Sequence, residues 1–321
     1  MQIYNNVPLS TILWYQIGGE AKLVIDISSK EDLFEALQYI ENNNISDIFV
    51  VGLGSNMLFP DEGFNGAIFR FLVQEDGEGV RKISDNVVES FAGEALDSVI
   101  NFSLDSGLTG LQWAGGLPGT VGAAVRGNVG AFGGEIKDNF FKAHCIKILP
   151  HGGFEELILT RDEMEFAYRS SKVKKEKLIV VSVQFELNIA TQEDLLEARE
   201  AYYANIVYRQ DHHPLDYPNC GSVFKNISKS EEVGKVKSTW GDISDLIDNK
   251  WHGKVSMGYI IDRLGLKGFR VGNAQVSKKH QNFIVNLGGA KAADVKEIIA
   301  TIEKKTQSEF GFTPEVEIEI I

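Results

Sequence analysis

Apolar and polar positions change period several times along the chain. KLVIDISS, residues 22–29, runs apolar like a buried strand and passes into a segment where Leu33, Phe34, Leu37 and Ile40 share one helical face. Ser28 and Glu31 have capping-box spacing for the start of that helix. DIFVVGLGSNMLF (47–59) reads as a buried strand, Ile48 to Val51, that breaks into a glycine turn. NVVESFAGEALDSVINFSLDSG (86–107) repeats the strand–glycine–helix order. KLIVVSVQFELNI (177–189) is a sheet strand by the same reading, and DLLEAREAYYANIVYRQ (194–210) is a helix leading into a second domain. Beyond it lie GYIIDRLGL, AQVSKKHQNFIVN, a helix over AADVKEIIATIEKKTQSEFG and a final strand, PEVEIEII. With no internal repeat or low-complexity segment, this alternation predicts an α+β or mixed α/β chain.

Two glycine-rich stretches interrupt the pattern. VGLGSN (51–56) follows a strand but lacks the third glycine of a dinucleotide fingerprint, and Pro60 blocks a continuous helix after it. The Lys-Ser/Thr pair of a P-loop is absent too. What remains is either an ordinary strand-end turn or a cradle of backbone N–H groups suited to a diphosphate. LPGTVGAAVRGNVGAFGG (117–134) is glycine-rich yet apolar, unlike a flexible linker. Its glycines allow close approach of backbone to an extended ligand, and Thr120 and Asn128 add polar contacts. Together the two loops suggest a large phosphorylated cofactor. PNCGSVFKN (218–226) is either a turn before a strand or a hydroxyl, Ser222, held at a pocket mouth with Lys225 nearby.

Length and charge narrow the classes. The 321 residues suggest about two domains. A net charge of −13 argues against general nucleic-acid or membrane-surface binding, so basic groups for an anionic ligand must be local. No secretory signal and no apolar run of spanning length is evident, and a cytoplasmic protein is expected. The two cysteines, Cys145 and Cys220, make no disulfide framework, and the pair His212–His213 has no partner at metal-ligand spacing, so no metal is expected. Cys220 reads as a small turn residue.

VGLGSNMLFPDEGFNG, GLTGLQWAGGLPGTVGAAV, NVGAFGGE, YRSS, PNCGSVFKN, GLKG, VGNAQVSKKHQNFIVN and PEV occur in that order over nearly the whole chain. In this collinear set the chain closely resembles the UDP-N-acetylenolpyruvoylglucosamine reductase family, in the branch without an extra substrate-covering tyrosine loop. The resemblance implies a two-subdomain FAD-binding domain of the vanillyl-alcohol-oxidase type, residues 1–200 divided near 75, followed by a smaller α+β substrate-binding domain, 201–321. It implies FAD and NADPH as cofactors, a UDP-sugar substrate, a monomer, and a role in peptidoglycan precursor synthesis. It places Gly52, Gly54, Ser55, Asn56, Met57, Pro118, Gly119, Thr120, Gly122, Asn128 and Gly130 at the cofactor. The family's catalytic arginine, serine and glutamate fall on Arg169, Ser222 and Glu315; Tyr168, Lys225, Asn226, Lys267 and His280 fall at the substrate.

The chain departs from the family pattern at Leu13-Trp14, at VGAAV with Arg126, at KNIS, and at His212, where a lysine is usual; neutral histidine there would make diphosphate affinity pH-dependent. The implied reaction adds hydride to the distal vinyl carbon of an enolpyruvyl ether. Arg169 would then stabilise the enolate-like charge on the carboxylate, and Ser222 would protonate the substituted carbon. Glu315 would act only if protonated, which a neighbouring carboxylate favours. Taken singly, Arg169 reads equally as a surface residue, Ser222 as a turn residue, and Glu315 as one solvated face shared with Glu317 and Glu319. Alternatives are a flavin oxidase, disfavoured because neither glycine loop offers His or Cys for a covalent tether, and a non-catalytic binding protein, disfavoured because all three catalytic positions are kept.

Overall fold

Two separate sets of apolar side chains are buried, and they divide the chain. In the computed structural model, which describes residues 1–73, 78–150 and 152–321, the first unit takes Met1–Val7, Ala21–Leu53 and Asn65–Asp211. The second takes Pro8–Glu20, Gly54–Phe64 and His212–Ile321. Each unit has its own hydrophobic core. The subdomain division expected near residue 75 lies outside the described residues.

A four-stranded sheet in the first unit has the order Gln2–Pro8, Glu20–Ile27, Phe64–Phe71, Ile48–Val51, the last two parallel. Helix Lys30–Asn42 buries Leu33, Ala36, Leu37 and Ile40, the stripe that the periodicity gives. Its start differs from the expected Ser28–Glu31 box by one residue. Ser29 Oγ accepts from Asp32 N (3.1 Å), and the Asp32 carboxylate reaches back to Ser28 N (2.9 Å) and Oγ (2.6 Å). Ser29 thus caps a first-turn donor, and Asp32, not Glu31, reaches back to the residue ahead of the cap.

The second sheet is antiparallel throughout, in the order Phe154–Thr160, Phe140–Ile148, Ile179–Glu186, Val87–Phe91, Val80–Lys82. Ala143 stands opposite both Leu159 and Val183, which fixes the register that turns Phe140, Cys145, Val183 and Phe185 inward. Helix Leu96–Asp105 covers Val99, Ile100 and Leu104. The loop region expected around 107–135 contains a helix, Val121–Gly127, despite its glycines.

In the second unit, strands Arg270–Val271, Ala274–Val276 and Ile284–Asn286 form an antiparallel sheet. Helix Ala292–Phe310 packs on it through Val295, Ile298, Ile299 and Ile302. Long-range polar contacts bring in the two early segments. Tyr15 Oη donates to Ile284 O (3.0 Å), Asn286 Nδ2 donates to Tyr15 O (3.1 Å), and the Asp61 carboxylate accepts from Ala292 N (2.8 Å) and Ala293 N (3.0 Å) at the start of the long helix. Met57–Leu58 pairs in parallel with Glu319–Ile320. The C-terminal strand is therefore shorter than PEVEIEII suggests: Val316 bridges Phe224, and regular pairing resumes only at Glu319.

Phe185 is fully buried between strands. Phe185→Ala is expected to lower stability by about 3–5 kcal/mol, since a cavity adds to the lost transfer energy; urea unfolding of the two proteins measures it.

Candidate active site

Within the first unit, Gly52 meets the glycine loop at Thr120. Gly52 ends the strand Ile48–Val51, and a Cβ placed there would lie 2.6 Å from Thr120 Oγ1. Thr120 caps the helix Val121–Gly127, its hydroxyl accepting from Ala123 N (3.4 Å). The stretch 118–122 lies along 92–96 through Leu96 N to Gly119 O (3.1 Å), Val121 N to Glu94 O (2.9 Å) and Gly122 N to Ala92 O (2.9 Å). Gly122 is close-packed too, with a Cβ there lying 3.0 Å from Ala92 Cβ. Packing thus favours glycine at both positions, and it leaves bare backbone where they meet.

The helix Val121–Gly127 ends at Asn128, left-handed at φ 41° and 1% exposed. Its amide is fully used as a donor: Nδ2 donates to Glu135 Oε2 (2.9 Å) and Ala167 O (3.1 Å), while Oδ1 accepts from Lys137 N (3.0 Å). Ala167 opens the turn that carries Tyr168 and Arg169. Ala167 N donates to Ser170 O and Ser170 N donates to Ala167 O, each at 3.0 Å, and Arg169 has φ 56°. Its guanidinium lies 5.5 Å from the Tyr168 ring centre.

Arg209 is a residue that the sequence reading missed. It sits near the end of the helix Gln192–His212, only 9% exposed. Nε donates to Gly115 O (3.0 Å), the guanidinium lies over Phe132 (5.1 Å), and Nη2 is buried with no hydrogen-bond acceptor among the described residues. Burial, and then the neighbouring Arg169, lower its pKa from the usual arginine value. A desolvated cation without a counter-charge is costly, so this group is suited to an anion. Nothing in YRQDHH distinguishes it from an exposed helical arginine.

In the second unit, a turn and an extended segment held by isolated bridges position Ser222. Asn219 Nδ2 donates to Tyr217 O (2.9 Å) and its Oδ1 accepts from Gly221 N (3.0 Å). Gly221 takes φ 78°, and Ser222 follows, half-buried. Cys220 is buried, which pushes its thiol up to about 12, so it is no nucleophile at neutral pH. Asn282 then fixes the next two residues: its O accepts from Val223 N (2.8 Å), its Oδ1 from Phe224 N (3.0 Å), and its Nδ2 donates to Phe224 O (2.8 Å). On the other side Glu317 N donates to Val223 O (2.8 Å) and Lys225 N to Glu315 O (2.9 Å). This pairing brings Glu315 to Lys225, whose Nζ makes an ion pair with Oε1. The Glu315 side chain is otherwise 57% exposed, not enclosed within its unit.

His280 is half-buried beside His213 and Phe283. Its Nδ1 accepts from Asn282 N (3.3 Å), which leaves the hydrogen on Nε2. Burial, then the nearby His212, lower its pKa. Asn226 Oδ1 accepts from Met257 N (3.1 Å) at the start of the helix Met257–Arg263, and Lys267 is exposed. Gly54 is left-handed at φ 71°, and a Cβ there would meet Leu13 Cδ2 at 2.7 Å. Asn56 O accepts from Glu319 N (2.9 Å), and Met57 lies in the parallel pair with Glu319. Arg169 therefore belongs to one unit, Ser222 and Glu315 to the other.

Comparison with known proteins names the class first. Residues 21–151 match an FAD-binding domain, which makes the chain a flavoprotein. The joined glycine loops and the buried donors Arg209 Nη2 and Trp113 Nε1, both without an acceptor among the described residues, fit such an extended polar ligand. Residues 213–321 match the C-terminal domain of UDP-N-acetylenolpyruvoylglucosamine reductase. The reductase of Caldicellulosiruptor bescii is 36% identical over 98% of this chain and 89% of its own length. That of Chlamydia muridarum is 33% identical over 99% and 94%. The crystal structure of the Thermus caldophilus reductase aligns with TM-score 0.73 at 28% identity, covering 100% of this chain and 99% of that one. The chain belongs to the UDP-N-acetylenolpyruvoylglucosamine reductase family.

Two outcomes follow from the second unit. Asn282→Ala orphans the buried N–H and C=O of Phe224, at about 1–3 kcal/mol for each group left unsatisfied. Chemical denaturation should show that loss, together with slower turnover. His280, whose folded pKa lies below the ordinary 6.5, contributes stability that is complete above that value and is lost as pH falls through it. Melting temperature between pH 8 and pH 5, roughly the range in which histidine titrates, should therefore fall more steeply for the natural protein than for His280→Gln.

Proposed function

We propose that the chain catalyses the NADPH-dependent reduction, through FAD, of UDP-N-acetylglucosamine enolpyruvate to UDP-N-acetylmuramate in peptidoglycan precursor synthesis. The observation that carries this reading is its near-full-length likeness to reductases of that name, with Arg169, Ser222 and Glu315 all present. In this reading, residues 1–200 serve FAD and 201–321 the substrate, and the enzyme works as a cytoplasmic monomer where NADPH and UDP-sugars are found. No helix among the described residues is long and apolar enough to cross a membrane.

The loops at Gly52–Met57 and Pro118–Thr120, with Gly122 and Gly130, hold the cofactor, mainly through backbone, while Asn128, expected beside them, has its amide spent on Glu135, Ala167 and Lys137. When bound, FAD supplies the two-electron chemistry that links the nicotinamide to the vinyl group. The remaining work falls to the chain. Arg169 meets the substrate carboxylate, where charge gathers once the distal vinyl carbon has accepted hydride; a permanent planar cation suits that charge. Arg209, whose pKa burial and then the neighbouring Arg169 lower, adds a second positive charge to the same unit. Ser222 delivers a proton to the substituted carbon, completing addition of hydride and proton across the double bond. Glu315 can donate a hydrogen bond to the developing charge only when protonated, so in this role it leaves its ion pair with Lys225, and Lys225 then adds positive charge at the site. Tyr168, Asn226, Lys267 and the Nε2–H of His280 serve the sugar and diphosphate.

The test separates the half-reactions under anaerobic conditions. NADPH should bleach the flavin absorbance, and the enolpyruvyl substrate should restore it. Ser222→Ala should keep the first rate within about two-fold while slowing the second by about 10²–10⁴-fold, the usual weight of a general acid. Equal slowing of both assigns the serine elsewhere, and a colour that returns only with oxygen overturns the reductase reading.

A further inference from the structure

The turn that carries Arg169 runs against local preference. Its third position holds a positive φ, where glycine or asparagine is favoured, yet an arginine stands there at 56°. An L-residue in that region costs about 1–2 kcal/mol, so something outside the turn must hold it. Both flanks are tied to the end of one helix. On the near side Asn128 Nδ2 donates to Ala167 O (3.1 Å). On the far side Ser171 Oγ, fully buried, donates to Arg126 O (2.7 Å) while accepting from Lys174 N (3.4 Å) to cap the helix Lys172–Glu176. Arg126 and Asn128 close the helix Val121–Gly127, whose opposite end, Thr120, touches Gly52.

We infer that Asn128 is a positioning residue for Arg169: its amide and the Ser171 hydroxyl clamp the Ala167–Ser170 turn to the helix Val121–Gly127, so that one strut sets the arginine relative to the cofactor loops. This strut is about 10 Å long at 1.5 Å per residue. The amide suits the task because its two donors point to fixed acceptors, Glu135 Oε2 and Ala167 O, while Lys137 N holds its oxygen. Asn128 tolerates the left-handed backbone, at φ 41°, that turns the amide under the loop. Asn128 thus acts on the reaction through Arg169 rather than by touching substrate. The inference rests on the catalytic reading of Arg169.

The deciding variant is Asn128→Gly, which keeps the left-handed backbone accessible and removes only the amide. Holoenzyme carrying it should bind FAD and accept hydride from NADPH within about two-fold of the natural protein, because the cofactor loops stay in place. Reoxidation by the enolpyruvyl substrate should fall by about 100-fold, the scale of a small misplacement of a reacting group. Because the defect runs through Arg169, Asn128→Gly should cost nothing further in an Arg169→Ala background. Ser171→Ala removes the other tie and should give the same split should Asn128→Gly not fold. Equal loss in both half-reactions, or an undiminished loss in the Arg169→Ala background, overturns the inference. An Arg169→Ala enzyme that is itself reoxidised at the natural rate would instead overturn the reading of Arg169.

Discussion

One buried amide carries the second unit's chemistry. Asn282 is 3% exposed and spends its backbone oxygen, its side-chain oxygen and a side-chain N–H on Val223 and Phe224. Those two residues form the central rung between Asn282 on one side and Glu315–Glu317 on the other. Ser222 and Lys225 flank that rung, so their positions follow from it, as does the meeting of Lys225 with Glu315. The weight of the contact lies less in the bonds made than in the cost of leaving the Phe224 peptide groups unsatisfied in a water-free interior. A one-residue slip would orphan them, so the placement of the Ser222 segment is strongly specified.

What the sequence made legible were the elements with long period. The strands Ile48–Val51 and Val87–Phe91 and the helices Leu96–Asp105 and Ala292–Phe310 lie where the apolar pattern puts them. The helix Val121–Gly127 did not announce itself, because VGAAVRG is short and carries two glycines; it depends on Thr120 and Asn128 at its ends rather than on propensity. Membership of Pro8–Glu20 and Gly54–Phe64 in the second unit was also hidden. It is decided by contacts such as Tyr15 Oη to Ile284 O, far apart in the chain and invisible to any local window. The glycine motifs were visible, but their reason was mixed. Gly54 favours glycine through its left-handed φ of 71°, and Leu13, where the chain departs from the family pattern, lies against it.

Charge shows the same division between pattern and place. A chain of net charge −13 should repel a phosphorylated, carboxylated ligand at long range. Salt screens that repulsion beyond about 8–10 Å, whereas a cation without water around it acts at short range almost unscreened. Arg209 is such a cation, and its neighbour Arg169 raises the local positive potential further. Neither effect can be read from composition, because the same arginine on the opposite face of the helix Gln192–His212 would be a solvated charge of little consequence.

Strain and directional bonding converge on the arginine turn. Apolar packing would hold the turn against sliding but would leave its rotation soft, since dispersion contacts depend weakly on angle. Hydrogen bonds weaken steeply as they bend, so ties at Ala167 and Ser171 fix orientation as well as position. Orientation is what a planar guanidinium needs to face a carboxylate with both nitrogens. A left-handed arginine therefore makes physical sense only where both flanks are anchored. The helix Val121–Gly127 provides those anchors at one end and meets the cofactor loop at the other, so its short, glycine-bearing sequence is a consequence of fitting between the two.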